Sequence, residues 1–421
     1  MQEVRCQLCE GFVVMDRLKS RALHLLLCCI FVMVFQCGNG LCQSVQRPPF
    51  RILVLGDSVM WGQGLKNEHK FSYRIGDWIC ARRHGSDRCE DTNDVEIHVE
   101  AHSGAVITPP LTANERKEED KFIRTQSPTK YAGEVNHGYP TIGGEIELAQ
   151  RYYGGNSVPL TEINLIFVNG GINDMGATRI LLPHVGGNIE QYANRYCRDQ
   201  MSILLYRLAT TFPNARIIIP GYFPLVSLNT PEDILWETIG YLFLNKQDVG
   251  SEHGAIKEES EMASSPNPGK QSKIFKLLAK RSIQWVAASN TAFERAVNEF
   301  NSSHPIANDL VQSGESSKRA IFVPVLFEDD NAYAAPKTFL WQLVRKSPTV
   351  TFTCTTHDPL KNIMVSDEVQ PDRPCMCDQA GKAHSTSCLR AAAFHPNKEG
   401  AERYFSTIKN KLEPILNSLG W

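Results

Sequence analysis

The sequence predicts an α/β fold: a three-layer α/β/α sandwich around a flavodoxin-like parallel sheet of about five strands. Short apolar segments alternate with longer amphipathic segments along most of the chain. Some of the short segments, such as the one at 216–220, are apolar at consecutive positions, which is typical of strands buried on both faces. Strands that alternate with helices favour a parallel sheet covered by helices on both sides.

The predicted elements follow one another in a regular order. Strands are predicted at 51–55, 95–101, 163–168, 216–220 and 320–327. Helices are predicted at 71–83, 145–153, 189–212, 282–300 and 397–416. The helix at 189–212 is indicated by apolar residues at helical spacing, including Met201, Leu204 and Leu208. Asn397 precedes the last helix and is suited to cap its amino end.

One large domain is predicted from residue 45 to 421, because a chain of 421 residues can bury one large core. It contains insertions around residues 111–143, 227–281 and 328–390. Within the second insertion, residues 246–273 carry few large apolar side chains, a composition typical of a mobile segment.

Residues 1–44 are predicted to be a signal peptide and leader. Arg17, Lys19 and Arg21 precede an apolar stretch at 22–35, and small residues follow it. The stretch is shorter than the roughly 20 residues of a membrane-spanning helix. The expected location is therefore extracellular or periplasmic, and a membrane anchor formed by 22–35 is the alternative.

The charge balance excludes one class of partner. The formal net charge is −2, so no bulk attraction to nucleic acid or to anionic membranes is expected. Membrane contact is expected only through the signal peptide or through transient contact with lipid. Oligomeric state is not indicated by any pattern in the chain.

The cysteines fit an oxidising compartment. Of the 13 cysteines, those beyond the leader are disulfide candidates after export. Cys80 is expected to pair with Cys89. A cluster near residues 375–388 could pair internally or with Cys354. The alternative for this cluster is a metal site of Cys375, Cys377, His384 and Cys388, whose spacing matches no zinc pattern.

The most informative motif ends the first predicted strand. An apolar run stops at Gly56-Asp57-Ser58. The glycine permits a tight turn, and the serine hydroxyl then lies at the carboxyl end of the strand and the start of a helix. A helix amino terminus stabilises developing negative charge, so this position suits a nucleophile. Asp57 is interpreted only as a cap of the helix.

Three further motifs follow in chain order. Gly104 comes after the second strand, Asn173 and Asp174 come after the third, and His395 precedes the last helix. Ligands bind at the carboxyl ends of the strands in an open parallel sheet, so these residues are expected at the same edge as Ser58. Asp174 is expected to have a structural role, and His102 to be an ordinary surface or loop histidine.

Together these motifs resemble those of the SGNH/GDSL hydrolase superfamily, from Arg51 to the last helix. The resemblance implies ester hydrolysis through an acyl-enzyme, with Ser58 as nucleophile and His395 as base. It implies that the oxyanion hole consists of the Ser58 and Gly104 backbone N–H groups and the Asn173 amide. No metal and no organic cofactor are expected.

One residue departs from the family pattern, which has an Asp three positions before the histidine. This chain has Ala392 there. Three explanations are open: a Ser–His dyad whose imidazole is held by a backbone carbonyl, a carboxylate from elsewhere, or an impaired enzyme. The carboxylates considered as stand-ins are Asp329, Asp330 and Asp378.

The predicted function is that of a secreted serine esterase acting through an acyl-Ser58 intermediate. Its substrate could be a lipid, a short acyl ester or an acetylated carbohydrate. The alternatives are an acyltransferase on the same fold and a catalytically impaired binding protein. The aromatic segment at 332–343 could form the wall of an acyl pocket or could be a helix that packs on the domain.

Overall fold

Eight stretches of the chain are described by the computed structural model: 48–89, 92–125, 132–181, 187–244, 268–304, 318–345, 363–382 and 385–418. The predicted leader at 1–44, with its apolar stretch, lies outside them, and so do Cys354 and His384. Among the helices in these eight stretches, none combines the length and the apolar character needed to cross a bilayer.

A five-stranded parallel sheet organises the chain. Its strands are β1 (Phe50–Gly56), β2 (Val95–Val99), β3 (Ile163–Asn169), β4 (Arg216–Pro220) and β5 (Ala320–Val323). The order across the sheet is β2-β1-β3-β4-β5, and every neighbouring pair is parallel. This is the flavodoxin-like order, so the predicted fold class is confirmed.

Burial explains why the strand sequences are apolar at consecutive positions. All seven residues of β1 and all five of β4 are buried. Both faces of these central strands are covered, so polar positions cannot alternate with apolar ones as they do on a half-exposed sheet. The edge strand β2 is only half-buried, and it accommodates Glu96 and His98.

Helices connect and cover the strands. They are α1 (Ser58–Trp61), α2 (Phe71–Arg83), α3 (Ala113–Thr125), α4 (Ile142–Gly155), α5 (Ile172–Met175), α6 (Thr178–Leu181), α7 (Ile189–Ala193), α8 (Met201–Thr211), α9 (Glu232–Ile239), α10 (Pro268–Ser303), α11 (Arg373–Gln379), α12 (Thr386–Leu389) and α13 (Lys398–Ser418). Asn397 caps α13, because its Oδ1 atom accepts from the Gly400 N–H at 3.0 Å. The α2 bounds agree with the prediction.

Several predicted elements differ from the structure. The helix predicted at 189–212 contains a π-helical turn, Asn194–Gln200, between α7 and α8. Helix α10 begins at Pro268 rather than at 282, so residues 268–273, predicted to be mobile, are helical. Strand β2 ends at Val99 rather than at 101. Strand β5 ends at Val323 rather than at 327, because Pro324 has no N–H group to continue the ladder.

The third predicted insertion lies between β5 and the last helix and forms short elements of its own. Strands β6 (Leu343–Arg345) and β7 (Ile363–Val365) form a small antiparallel pair, and α11 follows. A disulfide joins Cys377 to Cys388, and Cys375 is also disulfide-bonded. These three cysteines therefore have no thiolate to offer the alternative metal site.

The other cysteines in the described stretches form one disulfide and one free thiol. Cys80 is bonded to Cys89, as predicted. Cys197 is a buried free thiol and forms no disulfide. Its side chain packs beside Gly170 and Gly171, where β3 ends.

Candidate active site

Ser58 lies at the carboxyl end of β1, as the first residue of α1, and it is 6% exposed. The turn before it requires a glycine. Gly56 has φ +119°, and a Cβ there would collide with the carbonyl oxygen of Asn169 in the neighbouring strand. The backbone therefore turns sharply enough at this point to present the serine hydroxyl at the sheet edge.

Asp57 is buried and holds this turn. Its Oδ1 atom accepts from the Val59 N–H at 2.9 Å, which caps α1, and its Oδ2 atom accepts from the Tyr222 hydroxyl at 2.7 Å. Burial raises the pKa of Asp57 to about 6, although the Tyr222 hydrogen bond opposes the shift. The geometry agrees with the interpretation of Asp57 as a cap.

Asn173 and Asp174 join the segment after β3 to the segment after β2. The Asn173 amide donates to the Ala105 carbonyl at 2.9 Å. The Asp174 carboxylate accepts from the backbone N–H groups of Ile107 and Thr108, at 2.9 and 2.8 Å. Gly104, next to Ala105, is thereby held close to Asn173, and Asp174 has the structural role that the sequence predicted.

Each of the three predicted oxyanion donors has an N–H bond with no acceptor in the described stretches. The backbone N–H groups of Ser58 and Gly104 donate to no residue in the described stretches. The Asn173 amide uses one of its two N–H bonds on Ala105, which fixes the plane of the amide and leaves the other available.

His395 contacts Ser58 directly. Its Nε2 atom lies 2.7 Å from the Ser58 Oγ atom. On the other side of the ring, Nδ1 lies 3.1 Å from the Ala393 carbonyl oxygen, which can only accept. Nδ1 therefore carries the ring proton, and the Nε2 lone pair faces the serine hydroxyl. Burial lowers the pKa of His395 to about 4, and the Ala393 hydrogen bond opposes the shift.

The three stand-in acids lie elsewhere. Asp330 accepts from the Asn229 amide at 2.7 Å, Asp329 belongs to a short 3₁₀ turn, and Asp378 is exposed on α11. Within the described stretches, no carboxylate is hydrogen-bonded to His395. The acceptor at Nδ1 is the Ala393 carbonyl, and the Ala392 backbone also favours the protonated ring.

The loop that carries His395 is held by the aromatic segment of the third insertion. Trp341 donates its N–H to the His395 carbonyl at 2.8 Å, and Leu340 pairs with Pro396. Phe394 has φ +67° and stacks on buried Tyr333, with ring centroids 4.1 Å apart. The segment thus packs on the domain and positions the base, but it does so as turns and a bridge rather than as the helix that the sequence suggested.

A buried ionic cluster not predicted from the sequence lies beside the site. Glu134 is 1% exposed, and its carboxylate accepts from Gln63 Nε2 at 2.6 Å and from the Gly64 N–H at 3.1 Å. Arg373 pairs with Glu134 at 3.2 Å and with buried Asp367 at 3.0 Å. Burial raises the pKa of Asp367 to about 6, against the effect of Arg373. The cluster joins two insertions to the segment that follows Ser58.

A second buried pair supports Gly56. The Glu145 carboxyl accepts from the Gly56 N–H at 2.6 Å and contacts His102 Nδ1 at 2.8 Å. Burial raises the pKa of Glu145 and lowers the pKa of His102 to about 3, so burial disfavours the charged form of both side chains. His102 lies in the loop after β2, which is one of the two expected places, but it is buried.

Comparison with known proteins gives structural neighbours only. No protein-family model matches the chain, and no curated protein matches it. It is similar to an extracellular lipase and a phospholipase A1 of Streptomyces rimosus and Streptomyces albidoflavus. Each is 10% identical, with 86% of this chain and 99% of that chain covered, and the TM-scores are 0.38 and 0.37. A family 2 carbohydrate esterase of Corynascus thermopiles is 13% identical, with 90% and 69% covered and a TM-score of 0.34.

The sheet order and the chain order of the motifs agree with one another. Ser58, Gly104 and Asn173 follow β1, β2 and β3 at the carboxyl edge of the sheet, and His395 reaches the same edge from the last loop. The chain has a flavodoxin-like α/β fold, and this fold brings the four motifs to one edge of the sheet.

Proposed function

We propose that this chain is a serine esterase that hydrolyses carboxylic esters through an acyl-Ser58 intermediate. The observation that carries the proposal is the 2.7 Å contact between His395 Nε2 and Ser58 Oγ, with the imidazole oriented by the Ala393 carbonyl. A serine hydroxyl becomes an effective nucleophile only when a neighbouring base accepts its proton. Ser58 and His395 are a dyad in this proposal.

In the acylation step, the Ser58 oxygen attacks the ester carbonyl carbon while its proton passes to His395 Nε2. The carbonyl oxygen becomes an oxyanion, which accepts hydrogen bonds from the Ser58 and Gly104 N–H groups and from Asn173. His395 then gives its proton to the leaving alcohol as the carbon–oxygen bond breaks. The acyl group remains on Ser58.

In the deacylation step, His395 takes a proton from water as the water oxygen attacks the acyl carbon. The second tetrahedral intermediate uses the same three donors. Ser58 leaves with the proton returned by His395, and the carboxylic acid departs. Lipids, short acyl esters and acetylated carbohydrates are the substrate classes to be tested.

The proposed protein is secreted, with residues 1–44 removed as a signal peptide and leader and residues 45–421 forming the esterase domain. The disulfides between Cys80 and Cys89 and between Cys377 and Cys388 support an oxidising compartment. Mass spectrometry of the protein recovered from its native compartment gives the mature amino terminus. Recovery of an intact residue 22–35 segment in a membrane fraction would favour the anchored form.

A fluorophosphonate probe tests the nucleophile. The protein from residue 45 onward is treated with the probe, and the adduct is located by peptide mass spectrometry. An adduct on Ser58 is expected, and its absence in Ser58→Ala and strong reduction in His395→Ala would support an activated dyad. A folded wild-type protein without an adduct would overturn the esterase proposal.

The same protein separates hydrolysis from acyl transfer. Products of an accepted ester are analysed with and without an added sugar acceptor. Free acid as the main product in both cases is expected for an esterase. Acyl sugar as the main product would move the acyltransferase alternative to first place.

A further inference from the structure

A loop of the first insertion, residues 133–138, lies across the Gly104 turn. Ser103 donates its N–H to the Gly133 carbonyl at 2.8 Å, and His137 donates to the Ser103 carbonyl at 3.0 Å. A Cβ on Gly104 would collide with Asn136 Oδ1 and would lie 2.6 Å from the His137 carbonyl oxygen. The loop therefore borders the backbone N–H group that is assigned to the oxyanion hole.

The loop is held rigidly on its other side. Glu134 binds Gln63, the Gly64 N–H and Arg373, as described above, and Gln63 Nε2 also donates to the Glu134 carbonyl at 2.9 Å. Gly133 packs against the Trp61 ring, with no room for a side chain between them. A loop with its backbone and its one buried carboxylate fixed in this way presents its remaining side chains in a defined position.

Asn136 is the residue that this loop presents at the site. Its side chain contacts Gly104, it is exposed, and its carboxamide has no hydrogen-bond partner among the described residues. Its backbone carbonyl accepts from the Lys382 ammonium group, so the residue is anchored through the main chain. The side-chain amide keeps both a donor and an acceptor for a ligand.

The rim around Asn136 is polar. Lys382 comes from the loop closed by the Cys377–Cys388 disulfide and is half-buried. His137 is half-buried beside it, and burial together with the Lys382 charge lowers the pKa of His137 to about 4, so His137 is neutral at pH 7. Neutral and cationic hydrogen-bonding groups on this side of the site suit hydroxyl groups better than hydrocarbon.

We propose that Asn136 is a specificity-determining residue that hydrogen-bonds a hydroxyl group of the substrate, so that the enzyme prefers esters of polyhydroxylated alcohols. The proposal rests on the proposed esterase function and names its substrate class. A hydroxyl group can donate to Asn136 Oδ1 and accept from Nδ2. With the ester of an alkyl alcohol, Asn136 Oδ1 and Nδ2 would hydrogen-bond only to water, and the substrate would gain no binding energy from this contact.

The test compares two substrates that differ only in hydroxyl groups: the glycerol 1-ester and the propyl ester of one carboxylic acid. Wild type is compared with Asn136→Leu, which keeps the size and removes the polar atoms. Asn156→Leu serves as the matched control, since Asn156 lies before β3, at the opposite edge of the sheet.

We expect Asn136→Leu to lower kcat/KM for the glycerol ester about tenfold, mainly through KM, and to change kcat/KM for the propyl ester less than about twofold. Asn156→Leu should leave both values unchanged. An equal loss on both esters would mean that Asn136 acts on the oxyanion or on the loop, and would overturn the proposal. No loss on either ester would overturn it as well.

The failure of this proposal can be told apart from the failure of the esterase proposal. Fluorophosphonate labelling of Ser58 does not require an alcohol group to bind. Wild type that labels Ser58 and hydrolyses both esters, with Asn136→Leu unaltered in preference, would overturn only the role of Asn136. Wild type that neither labels nor hydrolyses would overturn both.

Discussion

The Nδ1 atom of His395 donates to the Ala393 carbonyl oxygen across 3.1 Å. This bond fixes the ring tautomer, as an aspartate would, and it directs the Nε2 lone pair to Ser58. A carbonyl has a dipole and no net charge, so it stabilises the imidazolium that forms during catalysis less than a carboxylate does. The chain therefore orients its base by backbone geometry, with less electrostatic help than a complete triad provides.

The first prediction concerns pH. Because burial lowers the pKa of His395 to about 4, we expect kcat/KM to rise with pH through a midpoint near 4 and to stay level toward neutrality. Only the neutral imidazole can take the Ser58 proton, so activity is lost as pH falls through that pKa. The measurement is the pH profile of kcat/KM on an accepted ester.

Asp57 is the control for this profile, because its pKa of about 6 places its titration in the same region. The pH profile of kcat/KM for Asp57→Asn should show no inflection near pH 6 and should still rise through a midpoint near pH 4. If kcat/KM of both proteins rose through a midpoint at pH 6.5 or above, the His395 ring would titrate as a solvated histidine.

The second prediction concerns Ala392, where the family pattern has an aspartate. Ala392 is 0% exposed, and a Cβ on Gly64 would lie 2.7 Å from the Ala392 Cβ and 2.9 Å from the Asp367 Cβ. A larger side chain has no room, and a carboxylate would be buried near that of Asp367. We expect Ala392→Asp to lower the free energy of unfolding by about 2 kcal/mol or more and to leave kcat/KM no higher than in wild type.

Thermal unfolding and ester kinetics test this, with Ala391→Asp as the control for an added charge at a half-buried neighbouring position. The control should unfold at nearly the wild-type temperature. A stable Ala392→Asp protein with a tenfold gain in kcat/KM would show that the site accepts the missing acid, against the packing argument.

The sheet and most helices could be predicted because their signals are local. The continuous apolar run Ile217, Ile218 and Ile219 is what a strand covered on both faces requires, and all three residues are fully buried. The helix Phe71–Arg83 was predicted with the right ends. The start of α10 could not be predicted from apolar spacing, because residues 268–273 include no large apolar side chain.

The dyad residues could also be predicted from the sequence, whereas the buried ionic cluster beside them could not. Ser58 and His395 belong to short motifs, but Glu134 and Arg373 are 239 positions apart, and nothing local marks either one. A buried ion pair depends on which insertions meet in space. The signal that could have drawn attention to the cluster is that Glu134, Asp367 and Arg373 fall in insertions that flank the motifs.

The third prediction concerns Gly104. A methyl group at this position would collide with the Asn136 side chain and would lie 2.6 Å from the backbone oxygen of His137, and φ +90° disfavours any side chain. The turn would have to shift, which would displace its N–H group from the oxyanion hole. We expect Gly104→Ala to lower kcat/KM about 100-fold, largely through kcat.

Gly138→Ala is the matched control for Gly104→Ala, because a methyl group on Gly138 would meet nothing within 4 Å. Its kinetics should stay within about twofold of wild type. If both variants lost activity equally, general disturbance of the 133–138 loop would be responsible, and the Gly104 N–H would lose its assigned place in the oxyanion hole.

The fourth prediction separates the Cys377–Cys388 disulfide from the Cys80–Cys89 disulfide. The Cys377–Cys388 bond closes the segment whose Lys382 donates to Asn136, and Val135 packs in the same buried cluster as both cysteines. The Cys80–Cys89 bond lies before β2, away from the carboxyl edge of the sheet.

Removing either bond by a double Cys→Ser change should lower the free energy of unfolding by about 2–4 kcal/mol. Only loss of the bond at 377–388 should also raise KM, because it frees the loop that borders Gly104. Calorimetry and ester kinetics on the two double variants test this, and equal KM values would mean that the Cys377–Cys388 bond is not needed to hold the loop.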